Sequence, residues 1–223
     1  MMDSEGTLKF YRDNASSLIT AYDRVVPAHV AHLKALLRGR KACVMEVACG
    51  AGRNVAELLA DGLDASGVDG SAEVIAAGRA HYRLSEDRLW VDSLPHLKQV
   101  SRRYEAVLCA GALQHIPDRY LLDSLYRLRS LVAAEGFLMV SIPLTYPSGA
   151  DSRDRLGRIV RLRPAAQYRF FLERLGMREI VAYEEDDCLG REAVTWGVLL
   201  FSATRTDDLR PIHVIESVLW DDR

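Results

Sequence analysis

The stretch Cys43-Val44-Met45-Glu46-Val47-Ala48-Cys49-Gly50-Ala51-Gly52-Arg53-Asn54 holds the residues best suited to ligand chemistry. Its apolar run carries one acid, Glu46. It ends in two glycines, Gly50 and Gly52, before a helix-like segment begins. That order reads as a buried strand, a tight turn and a helix N-terminus. Gly50 and Gly52 lack side chains, so a ligand can come against the backbone. The first N–H groups of the new helix have no partner inside it and face the same place. A nucleotide-type ligand at the carboxyl end of a first parallel strand would use this arrangement. Asp69 closes a second apolar strand, 17 residues beyond Gly52. A carboxylate there stands beside the first turn and can accept both hydroxyls of a ribose. Asp92 closes a third strand further round the crevice, where it can accept from an adenine amino group. The same residues also suit a bare turn with solvated acids at its strand ends. A dinucleotide fingerprint wants a further small residue where Val55 stands, which argues against an NAD-dependent oxidoreductase.

These side chains need a scaffold, and the pattern supplies one. Strand one is Cys43 to Val47, and a helix follows from Arg53 to Ala60. Ala65 to Val68 is a strand, and Ser71 is a fair N-cap for the next helix. Arg88 to Val91 and Tyr104 to Ala110 are strands three and four. Pro117-Asp118 starts a helix whose Leu121, Leu122, Leu125, Leu128 and Leu131 share a face. Phe137 to Val140 is strand five. Strand–helix alternation points to right-handed crossovers around a parallel sheet. A later helix around Phe170 and Phe171 leads to Glu179–Tyr183, and Val194–Ala203 follows. These last two strands suggest an antiparallel hairpin at the sheet edge. Before strand one, Leu18, Ile19, Tyr22, Val25 and Val26 continue one helical pattern up to Pro27. Val30, Leu33, Leu36 and Leu37 make another. These helices are expected to lie over the carboxyl edge and close the site.

Length and composition bound the rest. The chain has 223 residues, 49% of them hydrophobic, enough for one sizeable core. A net charge of −2 is less basic than a dedicated nucleic-acid binder usually carries. No apolar run reaches the roughly 18 residues of a transmembrane helix. The polar start, Met1 to Thr7, does not read as a signal peptide. The four cysteines, Cys43, Cys49, Cys109 and Cys188, form no C-x-x-C pair. They read as reduced thiols in a cytoplasmic protein with no metal site.

Several segments taken together resemble the class I S-adenosylmethionine-dependent methyltransferases. They are Glu46 to Asn54, Gly67-Val68-Asp69-Gly70-Ser71, Asp92, Leu108 to Ile116, Leu128 to Leu131, and Glu135 to Val140. The likeness runs over roughly residues 10 to 203. It implies a Rossmann-like α/β fold with a doubly wound, mostly parallel seven-stranded sheet. An antiparallel hairpin lies at the edge, with helices on both faces. It also implies S-adenosyl-L-methionine as cofactor. By resemblance, Glu46 orients the turn, and the backbone of Ala48, Cys49, Gly50 and Gly52 meets the amino-acid part of the cofactor. Asp69, followed by Gly70 and Ser71, matches the ribose-binding segment, and Asp92 the acid near adenine. Ala110 and Gly111 match the exit of strand four, and Tyr11 an aromatic that closes the site. Arg53 suits either the cofactor carboxylate or a surface position. Ala48 stands where the family more often has glycine. Ala133-Ala134-Glu135 replaces a commoner Pro-Gly pair before Gly136. The Asn-Pro-Pro-Tyr and Pro-Cys signatures of nucleic-acid base methylation are missing.

The methyl of a sulfonium is an electrophile, so an acceptor must be placed in line behind it with water excluded. His115 follows strand four on the substrate side, and the unperturbed pKa of a histidine lies near neutrality, which suits a general base. It equally suits a helix-capping role. Tyr146, Arg153, Arg155, Arg158 and Tyr168, in and after a basic insertion at 144–164, are substrate-binding candidates. Their guanidiniums suit a carboxylate or phosphate. The segmental expectation is a helical lid or substrate segment at 1–40, a core at 41–203 and a tail at 204–223 that docks, binds a partner or begins a truncated element. Function is expected to be methyl transfer to an O, N, S or C atom of a small molecule, by a monomer or homodimer away from membranes. RNA or protein methylation and a non-catalytic scaffold are the alternatives.

Overall fold

A computed structural model describes residues 5–23, 25, 27–147 and 152–203. The tail expected at 204–223 lies outside the described residues.

Val44, Met45, Glu46 and Val47 are all buried, so strand β1 (Cys43–Val47) has a covered face on each side. It lies between β2 (Asp64–Asp69) and β4 (Tyr104–Ala110), parallel to both, with Glu46 level with Gly67 and Leu108. β3 (Leu89–Val91), β5 (Val132–Thr145), β6 (Met177–Asp186) and β7 (Thr195–Ala203) complete one seven-stranded sheet. Its order is β3-β2-β1-β4-β5-β7-β6. β7 runs antiparallel to β5 and β6 antiparallel to β7, which is the expected edge hairpin. The strand order reverses between β1 and β4. In a doubly wound sheet, a ligand crevice opens at that point, outside the carboxyl ends.

Two apolar layers cover the sheet. On one face, α3 (Ala28–Leu37) and α4 (Arg53–Ala60) bring Val30, Leu33, Leu37, Val55 and Leu58 against Val44, Ala65, Leu108 and Met139. On the other, α6 (Leu121–Leu131) and α7 (Ala165–Arg174) bury Leu121, Leu125, Leu128 and Leu172 against Met45, Val107 and Val140. The helix α5 (Ala72–Tyr82) leans on α4 so closely that a Cβ at Gly78 would stand 2.0 Å from the Ala51 carbonyl oxygen. Only glycine admits that approach, and it holds α5 against the glycine turn.

Three findings differ from the sequence pattern. The expected helical lid at 1–40 divides into three helices. α1 (Glu5–Asp13) and α2 (Ala15–Tyr22) precede α3, and α2 stops at Tyr22 rather than running on through Val25. α3 belongs to the core, because Val30, Leu33 and Leu37 are at most 1% exposed. Its His29 and His32 face β6, where they meet Glu185 at 2.7 Å and the Tyr183 hydroxyl at 2.6 Å. Strand β5 starts at Val132 instead of Phe137, directly after α6. Its register slips between Val132 and Phe137, with Glu135 at φ +61°, so the expected loop is a bulge inside the strand. Among the described residues, no helix is long and apolar enough to cross a membrane.

Candidate active site

The turn after β1 is wound by three left-handed residues, Ala48 (φ +57°), Gly50 (φ +57°) and Gly52 (φ +83°). Gly52 is the N-cap of α4 and gives it no side-chain cap. The first N–H groups of α4 therefore point out of the helix beside the turn. By contrast, α5 is capped by Ser71, whose Oγ accepts from the Val74 N–H at 3.3 Å. Ala48 is the one non-glycine of the three and pays for its φ in steric strain. Ala48→Gly is expected to raise stability by about 0.5–1 kcal/mol, after the extra chain entropy of glycine is counted. Urea unfolding at neutral pH reads this out, and an unchanged midpoint rejects strain at Ala48.

Two carboxylates flank the turn. Asp69 accepts the Gly50 N–H at 3.0 Å and the Ser71 N–H at 2.9 Å, so the end of β2 is tied to the glycine turn. Burial holds its carboxyl above the ordinary value, against the pull of the N–H groups of Ser71, Gly50 and Gly70. Glu46 lies beneath the turn and is 3% exposed. Its Oε1 accepts from Asn54 Nδ2 at 2.6 Å, whereas Oε2 is buried with no partner. Burial pushes its carboxyl up to about 7, with the Asn54 bond and the Arg53 charge acting against it.

The remaining residues matched to a cofactor take varied places. Cys49 turns its thiol towards Gly67, where it also donates to the Gly50 carbonyl at 3.5 Å. Arg53 is engaged by the Val25 carbonyl, by Asn54 at 2.5 Å and by Glu57 at 3.3 Å, which ties α4 to the chain before α3. Asp92 accepts three backbone N–H groups of its own loop, from Ser93, Lys98 and Gln99. Gly70 packs near Leu8 of α1, which therefore reaches the end of β2. Gly111 (φ +61°) follows Ala110 at the exit of β4. Its carbonyl accepts from Gln114 at 2.5 Å, and Trp196 lies over its α-carbon.

A second polar cluster joins α1, the β4 exit and the insertion. His115 donates from Nδ1 to the Ile159 carbonyl oxygen, which can only accept. Nε2 therefore carries the lone pair, and it faces the Tyr11 hydroxyl at 3.3 Å. Burial pushes the imidazole down to about 4, with nearby Arg158 and Arg191 acting the same way and the Ile159 bond opposing. The insertion fixes this histidine. The Arg161 N–H meets the Gln114 carbonyl at 2.9 Å, and the buried Arg163 holds the Leu113 and Ile116 carbonyls.

Arg158 is 7% exposed. It donates to Asp154 at 2.8 Å and to the Tyr146 hydroxyl at 2.7 Å, and its nearest approach to Tyr11 is 3.5 Å. Arg191 meets the same Tyr146 oxygen at 3.2 Å and is held by both oxygens of Asp187, which also accepts from Trp196 Nε1 at 2.9 Å. Tyr146 and Arg158, both candidates from the sequence, meet here, and Arg191, Asp187, Asp154 and Trp196 join them. Arg153 bonds the Gly157 carbonyl and shapes the insertion, and Arg155 is exposed. Tyr168 is corrected. At 1% exposed, it is a core side chain on α7, packed with Leu125 and Leu172, and no acceptor can reach it.

The sheet has the order 3-2-1-4-5-7-6 with β7 reversed, and a glycine turn follows β1. Residues 44–136 match the family model described as "Methyltransferase domain". The chain has the Rossmann-like fold of the class I S-adenosylmethionine-dependent methyltransferases. A comparison with curated protein sequences gives no match. Several solved structures share the fold. The 1,6-didemethyltoxoflavin-N1-methyltransferase of Burkholderia thailandensis, with 1,6-didemethyltoxoflavin and S-adenosylhomocysteine bound, superposes with a TM-score of 0.69 at 18% identity, covering 90% of this chain and 87% of that one. Magnesium protoporphyrin IX methyltransferase of Synechocystis PCC 6803, with S-adenosylmethionine bound, gives 0.66 at 15% identity over 92% and 98%. The complex of DhpI with S-adenosylhomocysteine gives 0.56 at 25% identity over 88% and 95%.

Proposed function

We propose that the chain transfers a methyl group from S-adenosylmethionine to a small-molecule acceptor. One observation carries this reading. The uncapped start of α4, the orphaned Glu46 Oε2 and the Asp69 carboxylate converge on one turn at the carboxyl edge, with Tyr11 and His115 on the same edge. These residues fit the cofactor. Glu46 Oε2 needs a donor such as an ammonium, the backbone of 48–52 suits an amino-acid moiety, and Asp69 suits ribose hydroxyls. Asp92, Gly70, Ser71, Ala110 and Gly111 line the adenine and methionine ends, and Tyr11 covers them. The cofactor supplies an electrophilic methyl on a cationic sulfur. The chain orients the acceptor, excludes water and handles the proton. Solved relatives that carry 1,6-didemethyltoxoflavin or are named for magnesium protoporphyrin support a small acceptor over RNA or protein.

Calorimetry with S-adenosylhomocysteine and NAD tests the cofactor. Labelled methyl transfer into a metabolite extract, beside RNA and protein fractions, tests the acceptor class. Binding of NAD alone, or label entering only the macromolecules, overturns the reading.

His115 acts in this proposal as a neutral imidazole. With Nδ1–H fixed on Ile159, its Nε2 orients the Tyr11 hydroxyl and receives a proton relayed from the acceptor. A base that titrates near 4 is a weak one. His115→Ala is therefore expected to lower kcat about tenfold, the small end of general-base effects, and to leave S-adenosylhomocysteine affinity within about twofold. A near-normal kcat leaves His115 only a structural role. The pH profile adds a check. The folded protein favours the neutral ring, so turnover should persist as pH falls through 6.5 and drop only nearer 4. A break at 6.5 contradicts the buried state.

A further inference from the structure

We infer that the acceptor is an anion, and that its oxyanion group (a carboxylate, phosphate or phosphonate) is gripped between Arg158 and Arg191. This rests on the methyl-transfer reading above and names the substrate class of that site. Two guanidiniums from separate loops converge on a single neutral oxygen, the Tyr146 hydroxyl, at 2.7 and 3.2 Å. Neither can shed its charge. Asp154 holds Nε and Nη2 of Arg158 and Asp187 holds Nε and Nη2 of Arg191, which leaves Arg158 Nη1 beside Tyr11 and Arg191 Nη1 on Tyr146.

The donors outnumber the acceptors. Arg158 Nη1 carries two hydrogens and has only the Tyr11 oxygen at 3.5 Å. Arg191 Nη1 gives one bond to Tyr146 and Nη2 one to Asp187. Each guanidinium therefore keeps at least one N–H with no acceptor among the described residues. For Arg158, 7% exposed, a donor left this way is costly, and an oxyanion offers the lone pairs that Tyr146 alone does not.

The aspartates also matter for selectivity. Burial raises the Asp187 carboxyl, but its bonds to Arg191 and Trp196 outweigh burial and bring it down to about 2. It stays ionised and keeps the Arg191 fork aimed. The pair is then close to neutral overall, so recognition comes from forked hydrogen bonds rather than bulk attraction. The setting is aromatic, with Arg191 at 5.5 Å from the Tyr146 ring and 6.0 Å from the Trp196 ring, and Arg158 at 4.8 Å from Phe10. That favours an acceptor with a flat or apolar body beside its anionic group.

The test begins with calorimetric titration of S-adenosylhomocysteine into the full chain. Failure there rejects the methyl-transfer reading itself. The saturated protein is then titrated with benzoate, methylphosphonate and benzamide. At least one of the two anions should bind at least tenfold more tightly than benzamide. Arg191→Gln should erase that preference while holding S-adenosylhomocysteine affinity within about threefold. Tyr146→Phe removes the oxygen between the forks and should strengthen anion binding severalfold, a change of opposite sign that a merely damaged protein does not give. Equal binding of benzamide, no binding of either anion, or a preference that survives Arg191→Gln overturns the inference.

Discussion

Glu46→Gln is expected to make the ligand-free protein more stable at pH 8 by about 2–3 kcal/mol, and at the same time to weaken S-adenosylhomocysteine binding about tenfold. Glu46 has a folded pKa of about 7 against an ordinary value of 4.5, raised chiefly by burial. A raised carboxyl binds its proton more tightly in the fold than in the open chain. Below 4.5 it is protonated in both states and contributes nothing. Between 4.5 and 7 the open chain ionises first, so stability falls as pH rises, and above 7 the full cost stands. Glutamine removes that cost, and the gain should shrink to within about 1 kcal/mol at pH 5. His115 slopes the other way. Its folded pKa is lowered, so its stabilisation is present above 6.5 and is lost as pH falls towards 4. Only the difference between variant and parent isolates Glu46. Urea titrations at pH 5 and 8 measure it, and equal stability at pH 8 would falsify the buried, unpaired carboxylate. A stabilising change that costs binding is the signature of a group kept for its ligand. The parent should also lose affinity as pH drops below about 7, and the variant should not.

The sheet was legible wherever local chemistry set the boundaries. Cys43–Val47, Arg53–Ala60 and Tyr104–Ala110 stand where the pattern places them. Each has a glycine within three residues of one of its ends, at Gly50, Gly52 and Gly111. Ser71 caps α5 because its hydroxyl reaches the N–H three residues on, which is a local event. α3 was misread as lid because an apolar stripe does not say which surface it meets. The core shows that it meets Val44 and Met139. Tyr168 fails for the same reason. An aromatic after a basic loop looks like a ligand contact until helix α7 turns it inward. The Arg158–Tyr146–Arg191 cluster was only half visible. Asp187 and Arg191 sit four apart in a stretch that reads as an acidic loop, and the meeting of Arg191 with Tyr146 spans 45 residues. The one local hint was that spacing of acid and base, joined to a tryptophan at the start of a strand.

Asp69→Ala is expected to weaken S-adenosylhomocysteine binding about a hundredfold. Two hydrogen bonds to a charged acceptor are worth roughly 1.5–3 kcal/mol each, and loop adjustment recovers part of that. The same substitution strips acceptors from the Gly50 and Ser71 N–H groups, so some loss could come from a loosened turn. Asp69→Asn separates the two effects. Its side-chain oxygen still accepts one of these N–H groups, but it lacks the charge and second acceptor that paired hydroxyls require. Affinity should fall nearly as far in Asn as in Ala, with much less lost in urea unfolding. Methylthioadenosine sharpens the assignment, since it keeps the ribose and lacks the amino-acid end. Asp69→Asn should weaken methylthioadenosine and S-adenosylhomocysteine by similar factors. Glu46→Gln should weaken only S-adenosylhomocysteine, because the unpaired Glu46 Oε2 suits the ammonium that methylthioadenosine lacks. If Asp69→Asn spares methylthioadenosine, the acid at the end of β2 holds the glycine turn together and does not touch the sugar. Crossed losses, with Glu46 sensing methylthioadenosine and Asp69 not, would reverse the direction in which the cofactor lies across Gly50–Gly52.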